Sequence, residues 1–262
     1  MAYGAVNQAG PLLREWRRRR SLSQLELASR SAVSGRHLSF IETGRARPSR
    51  EMILHLSQRL EVPLREQNRL LLAAGYAPLF GEHALDDPDL RVIREALHRF
   101  LRAHEPYPAV VVDRHWNIVA MNEGVALLSE GVSPELLEPP VNALRVTLHP
   151  EGMAPRIVNF AEWSSHLLER LQRELELTAD EQLRKLYEEL AAYPGVQTGR
   201  EGGDRGQDIL LPLRLRDAEA ELELFSTVTT FGTPLDVTLS ELAIEAFYPA
   251  DERTAAVLAG AG

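Results

Sequence analysis

Cysteine is absent from all 262 residues, which excludes disulfides, thiolate metal ligands and cysteine nucleophiles. No apolar run approaches the ~20 residues that a membrane-spanning helix needs, and the N-terminus has no apolar leader core. The expectation is a soluble, cytoplasmic protein with no membrane partner. The eight histidines show no His-x-x-x-His or His-Glu-x-x-His spacing, so metal catalysis has no support. A glycine-rich phosphate loop is missing too, and Gly195 to Gly206 reads as a flexible turn. Lysine is nearly absent. Lys185 stands alone on an expected helix, with Ser164 and Ser165 on the helix before it, and nothing there marks an activated nucleophile. No enzyme is expected, and no metal or required cofactor.

Charge is present, but unevenly. Residues 1–80 hold thirteen arginines and no lysine against six glutamates, a net +7; the remaining residues carry −16, and the whole chain −9. A basic head on an acidic body suggests that the head meets a polyanion while the body avoids it. At this length the chain has room for two domains.

The head is organised around Ser34-Gly35-Arg36-His37-Leu38-Ser39-Phe40-Ile41-Glu42, followed by Thr43-Gly44-Arg45-Ala46-Arg47-Pro48-Ser49. Ser34 is a plausible N-cap, Leu38 and Ile41 share one face of the ensuing helix, and Gly44 supplies a left-handed stop. Upstream, Ser23-Gln24-Leu25-Glu26 fits a capping box, and Ser31-Ala32-Val33 makes a tight turn between the two helices. Such a pair forms a helix-turn-helix, whose second helix enters the major groove by its N-terminal residues. Around it, a first helix opens near Pro11 with Leu12, Leu13 and Trp16 on one side and ends at Arg17-Arg18-Arg19-Arg20. A fourth runs from the Ser49 cap through Leu60, and a fifth follows Pro63 with Leu64, Leu70, Leu71 and Leu72 closing the bundle. Each arginine of the 17–20 run reads equally as a phosphate contact or as a solvated helix end. The run Arg20-Ser21-Leu22-Ser23-Gln24…Leu27-Ala28…Val33-Ser34…Phe40-Ile41-Glu42-Thr43-Gly44…Pro48-Ser49 resembles the XRE (lambda-repressor-like) family, and five helices in about 75 residues match its DNA-binding domain.

Residues 81–90 are acidic, polar and broken by Pro88, and read as a linker. A connecting helix with Val92, Ile93, Ala96, Leu97, Phe100 and Leu101 on its apolar side completes the 81–106 segment. From Tyr107 the period shortens to that of strands: Ala109–Val112 and Trp116–Ala120, joined by Asp113-Arg114-His115. A short helix from Asn122 to Ser129, helices over 156–177 and about 180–192, and strands over 208–216, 220–231 and 237–248 follow. That order is the order of a PAS-type sensor, an antiparallel sheet with helices gathered on one face. The expected class is therefore α+β: an all-α helix-turn-helix head over residues 1–80, then a PAS-like domain over residues 107–262.

Tyr107-Pro108-Ala109, Asp113-Arg114-His115-Trp116-Asn117, Asn142-Ala143-Leu144-Arg145, Leu148-His149-Pro150-Glu151-Gly152 and Arg156-Ile157-Val158-Asn159 resemble the ligand-binding half of MmyB-like transcription regulators. The resemblance implies a regulator whose C-terminal cavity can hold a fatty-acyl chain.

Base reading is expected from Gly35, Arg36, His37, Ser39 and Phe40. Arg36 can fork onto a guanine edge. His37 reads as a base or phosphate donor, or as a solvated histidine, and Phe40 as a thymine-methyl contact or core. Gly35 would let the backbone approach closely. Gln24, Arg45 and Arg47 are the phosphate candidates. Glu42 reads as structural, ending its helix and available to an arginine. For the ligand, Asn142, Arg145, His149, Arg156, Asn159 and Trp163 are the candidates. The five polar ones can instead tie irregular backbone around Pro150 and Pro155, and Trp163 can be ordinary core. The expected partners are double-stranded DNA with a palindromic operator, a small apolar ligand such as a fatty acid, and a second copy in a homodimer. The alternative for the C-terminal half is a fully packed interaction or dimerisation module.

Overall fold

The computed structural model describes residues 8–198, 211–217 and 221–260. The chain divides into two compact units, one built chiefly on residues up to Glu82 and the other from His83 onward.

The first unit is five helices: α1 (Ala9–Arg19), α2 (Gln24–Arg30), α3 (Gly35–Glu42), α4 (Arg50–Arg59) and α5 (Leu64–Ala73). Three of them start the same way. The hydroxyls of Ser23, Ser34 and Ser49 accept from the backbone N–H of Glu26, His37 and Met52, each at 3.2 Å. Every helix is then left through one residue of positive φ: Ser21, Ala32, Gly44, Glu61 and Gly75. That left-handed residue turns the chain sharply enough to keep the connections short. Between the helices, Leu13, Leu27, Leu38, Ile41, Ile53, Leu56, Leu60 and Leu71 are fully buried. Leu72, expected in this core, instead lies 58% exposed on the outer side of α5. α1 crosses α3 so closely that a Cβ at Gly10 would fall 2.1 Å from the carbonyl oxygen of Ile41.

The second unit begins with α6 (Arg91–His104) and is built on a five-stranded antiparallel sheet in the order β2-β1-β5-β4-β3. The strands are β1 (Ala109–Val112), β2 (Ile118–Met121), β3 (Leu213–Arg216), β4 (Glu221–Thr230) and β5 (Ala243–Pro249). Between β2 and β3 lie α7 (Ala126–Ser129), α8 (Ala143–Leu148), α9 (Phe160–Thr178) and α10 (Glu181–Ala191); α11 (Val237–Ser240) precedes β5, and α12 (Glu252–Leu258) follows it.

Both faces of this sheet are covered, not one. Ala109, Val111, Ile244 and Ala246 pack on Leu97 and Leu101 of α6, while Val110, Val112 and Phe247 pack with Trp116, Leu128, Leu144, Leu167 and Leu171 on the other side. β1 is accordingly buried at all four residues, and an unbroken Ala-Val-Val-Val is what a strand with two covered faces requires. The helix expected as a connector is thus part of the sheet's packing, although Val92, in its first turn, is 60% exposed. The last strand also starts later than its sequence suggests. β5 begins at Ala243, where Val112 and Thr230 provide its first partners, and Val237–Ser240 forms a helical turn instead. Of the expected 208–216 strand, 213–216 is observed, and Ile209 lies outside the described residues.

Candidate functional site

In the first unit the site grows from the Ser34 cap. With that cap set, α3 buries Leu38, Ile41 and Glu42 and turns Arg36 and His37 outward, with Ser39 and Phe40 half-buried beside them. The Arg36 guanidinium lies 5.3 Å from the centre of the Phe40 ring, so Phe40 is a shelf under the arginine and not core. A Cβ at Gly35 would meet nothing within 4 Å, so the missing side chain leaves room outside the protein.

Behind this face sits an ion pair. Glu42 accepts from Arg17 Nε at 2.7 Å and Nη2 at 2.9 Å, and from Gln24 Nε2 at 2.7 Å. Arg17 also donates to the Leu22 carbonyl at 2.6 Å. The hydrogen bonds to Glu42 hold the Arg17 guanidinium above its ordinary pKa despite burial. The network joins α1, α2 and α3, and it occupies Gln24, which was expected at a phosphate. Arg47 is engaged as well: its guanidinium donates to the Ala74 carbonyl at 2.7 and 3.1 Å and lies 5.1 Å from the Tyr76 ring. Arg45 is exposed. The run 17–20 splits in two: Arg17 is buried, Arg20 donates to the carbonyls of Leu60 (2.8 Å) and Glu61 (3.0 Å), and Arg18 and Arg19 face water.

In the second unit a cavity of about 460 Å³ lies between the sheet and the helices. Val110, Phe247 and Leu213 form its floor, Trp116, Val125, Leu128, Leu144, Trp163 and Leu167 its walls, and Val119, Met121 and Leu137 an exposed apolar rim. Of the six ligand candidates, Trp163 lines this cavity. Of the other five, Asn142, His149, Arg156 and Asn159 hold backbone, and Arg145 pairs with a side chain. Asn142 caps α8 and donates to the His115 carbonyl at 2.8 Å; Asn159 donates to the Pro212 carbonyl at 2.8 Å and accepts from the Arg214 N–H at 3.1 Å. Arg156 donates to the carbonyls of Leu127 (3.0 Å) and Glu130 (2.9 Å), and His149 Nδ1 accepts from the Glu151 N–H at 3.1 Å. Arg145 forks onto Glu189 with two contacts of 2.7 Å. Tyr193 donates to the same Glu189, and burial together with that carboxylate pushes its hydroxyl up.

A family model described as the MmyB-like transcription regulator ligand binding domain matches residues 93–260, and a helix-turn-helix family model matches residues 13–67. The chain belongs to the MmyB-like transcription regulators. No curated protein matches it. A solved structure titled "Structure of an RNA-binding Light-Oxygen-Voltage Receptor" is similar at 14% identity and a TM-score of 0.28, over 98% of this chain and 63% of that one, an overlap too slight to bear on fold or function. The chain thus spans less than two thirds of that protein's length.

This MmyB-like chain thus joins a helix-turn-helix to a ligand-binding domain. No helix among the described residues is long and apolar enough to cross a membrane. Its ligand-binding domain also carries a group that sequence reasoning missed. Glu245, on β5, lines the cavity and is 6% exposed. Its Oε1 accepts from Arg170 Nη1 at 3.2 Å. Arg170 lies 4.3 Å from the centre of the Trp116 ring and 3.6 Å from Glu174, which accepts from Trp116 Nε1 at 2.9 Å. Burial pushes the Glu174 carboxyl up, against the pull of Arg170. The signal was available: a lone acid at an inward position of the otherwise apolar Ala243–Phe247 run.

Proposed function

We propose that this regulator reads DNA through Arg36, His37 and Ser39, on a backbone opened by Gly35 and with Phe40 supporting Arg36, while its second unit, a PAS-like sensor, binds a small molecule with a fatty-acyl chain. The observation that carries the ligand reading is the cavity of about 460 Å³, a size usual for small-molecule sites, inside a domain of ligand-binding family. A fully packed interaction module would not keep such a space, because interiors otherwise close to crystal density. The apolar walls match an acyl chain, whose burial is favourable by about 0.8 kcal/mol per methylene.

Arg36 discriminates by forking onto a guanine, a contact that contributes about 1–3 kcal/mol. Arg45, with Arg18 and Arg19, meets phosphates and sets affinity without reading sequence. Two copies on one two-fold axis read a palindromic operator, with half-sites about one duplex turn apart. The ligand switches the protein by binding one arrangement of the heads better than another, since equal affinity shifts nothing. No cofactor takes part.

Native mass spectrometry of freshly purified protein tests the sensor. A stoichiometric small molecule, lost on denaturation, is expected. An apo mass, together with no change in melting temperature on adding medium-chain alkyl compounds, would refute the ligand reading. Arg36→Ala is expected to relax specificity at one base position, and a neutral result on the true operator would refute the groove assignment.

A further inference from the structure

We infer that the polar end of the cavity ligand is a neutral hydroxyl that donates to Glu245, so that the domain selects a long-chain alcohol over the fatty-acid carboxylate of the same length. The inference rests on the sensor reading above, keeps its long apolar chain, and replaces the acyl head group with a hydroxyl.

The charge inventory of the cavity carries it. Among the described residues lining the cavity, Glu245 is the one ionisable group. The rim adds no cation, since Val119, Met121 and Leu137 are apolar. The adjacent cation, Arg170, is already shared: it contacts Glu245 at 3.2 Å and Glu174 at 3.6 Å. One guanidinium therefore faces two carboxylates. A ligand carboxylate would be a third anion beside it, in surroundings where unpaired charge is costly. His166, its ring tilted at 31° to that of Trp163, does not make up the deficit, because burial and the neighbouring Arg170 and Arg173 push its pKa down and favour the neutral ring.

The uncharged polar groups of the lining point the same way. Thr147 donates its hydroxyl proton to the Ala143 carbonyl at 2.8 Å, and Ser129 donates to the Val125 carbonyl at 3.2 Å. Trp116 gives its indole N–H to Glu174. Thr147 and Ser129 still offer a ligand lone pairs, and the buried indole N–H of Trp163, which has no hydrogen-bond partner, offers one donor. A hydroxyl suits both: it donates to Glu245, can accept from an indole N–H, and brings no charge.

Isothermal titration calorimetry of the full-length protein with decanol and with decanoate, at a pH near 8 where the acid is ionised, tests this. Decanol is expected to bind at least about ten-fold more tightly than decanoate. In Glu245→Gln the anion is gone and Arg170 is partly released, so the preference is expected to fall to parity or reverse. Decanoate binding wild type as tightly as decanol would overturn the head-group inference while leaving the sensor reading intact. Neither compound binding, together with an apo native mass, would overturn both. Should Glu245→Gln fail to fold, the wild-type ratio alone decides. A lasting alcohol preference in a folded Glu245→Gln variant would also overturn the assignment to Glu245.

Discussion

Glu42→Ala should loosen the first unit more than truncation of Arg36, His37, Ser39 or Phe40 on the same helix. The Glu42 side chain is fully buried, and that of Arg17 is 9% exposed. Removing the carboxylate deletes both contacts from Arg17 and the one from Gln24, and leaves Arg17 with the Leu22 carbonyl. Gln24 is half-buried and can turn to water; Arg17 cannot. Breaking a buried ion pair from one side costs about 3–5 kcal/mol, chiefly because the other charge is stranded, against a total domain stability of about 5–15 kcal/mol. Because the protein has two units, amide hydrogen exchange resolved along the chain is the assay, not a single melting curve. Protection should fall by about 3–5 kcal/mol in α1, α2 and α3 and stay unchanged in the sheet of the second unit. The double variant Arg17→Met with Glu42→Leu should recover most of the loss, since replacing both charges by apolar groups leaves nothing unpaired. A loss under about 1 kcal/mol in Glu42→Ala, or no recovery in the double variant, would refute the idea that this network holds α1, α2 and α3 together.

Gly10→Ala places a Cβ 2.1 Å from the Ile41 carbonyl oxygen, so the α1–α3 crossing must open, with an expected loss of about 1–3 kcal/mol in the same exchange measurement. Ala32→Gly should do the opposite: φ is +51° there, and relief of about 1–2 kcal/mol of left-handed strain less glycine's entropy leaves a gain of about 0.5–1 kcal/mol. Arg45→Ala should weaken binding to all DNA sequences and shallow the salt dependence with stability unchanged, whereas Arg47→Ala should also lower the first unit's stability by about 1 kcal/mol, read by exchange in α5. For Glu174, burial raises the folded pKa, so below the unfolded value, about pH 4, both states are protonated and pH has no effect. As pH climbs from there through the folded value, the unfolded state ionises first and stability falls. Glu174→Gln keeps an acceptor for Trp116 and should flatten that fall in melting temperature against pH.

The first unit was legible because its instructions are local. The three serine caps at 23, 34 and 49 each act within four residues, and Gly44 and Gly75 mark the helix exits without reference to the rest of the fold. Ala32 and Glu61 give no such sign, since neither residue type prefers positive φ, yet they take the same left-handed turn. Arginine is harder to read than any cap. Arg17 and Arg18 are neighbours of one type in one run, and only helix rotation decides that the first is buried against Glu42 and the second reaches water. The Gln24 contact is equally hard to read, because its partner is 18 residues away on another helix.

In the second unit the polar candidates follow the second of their two readings, for a physical reason. Polar residues that cluster along the chain, such as Asn142, His149, Arg156 and Asn159, are close in sequence because irregular backbone needs many hydrogen bonds over a short span, and those bonds consume them; Arg145 is taken by the Glu189 carboxylate. A ligand cavity is assembled the other way, from residues far apart that each contribute one side chain: Val110, Leu144, Trp163, Leu213 and Phe247 span well over a hundred positions. Its polar anchor therefore does not announce itself by company. It appears as an exception, a carboxylate that an apolar strand carries inward although burial is costly, and that cost is met by an arginine 75 residues away. In a cavity-forming domain of this kind, a lone inward charge on a central strand is a better pointer to the ligand's head group than any cluster of polar residues in the loops.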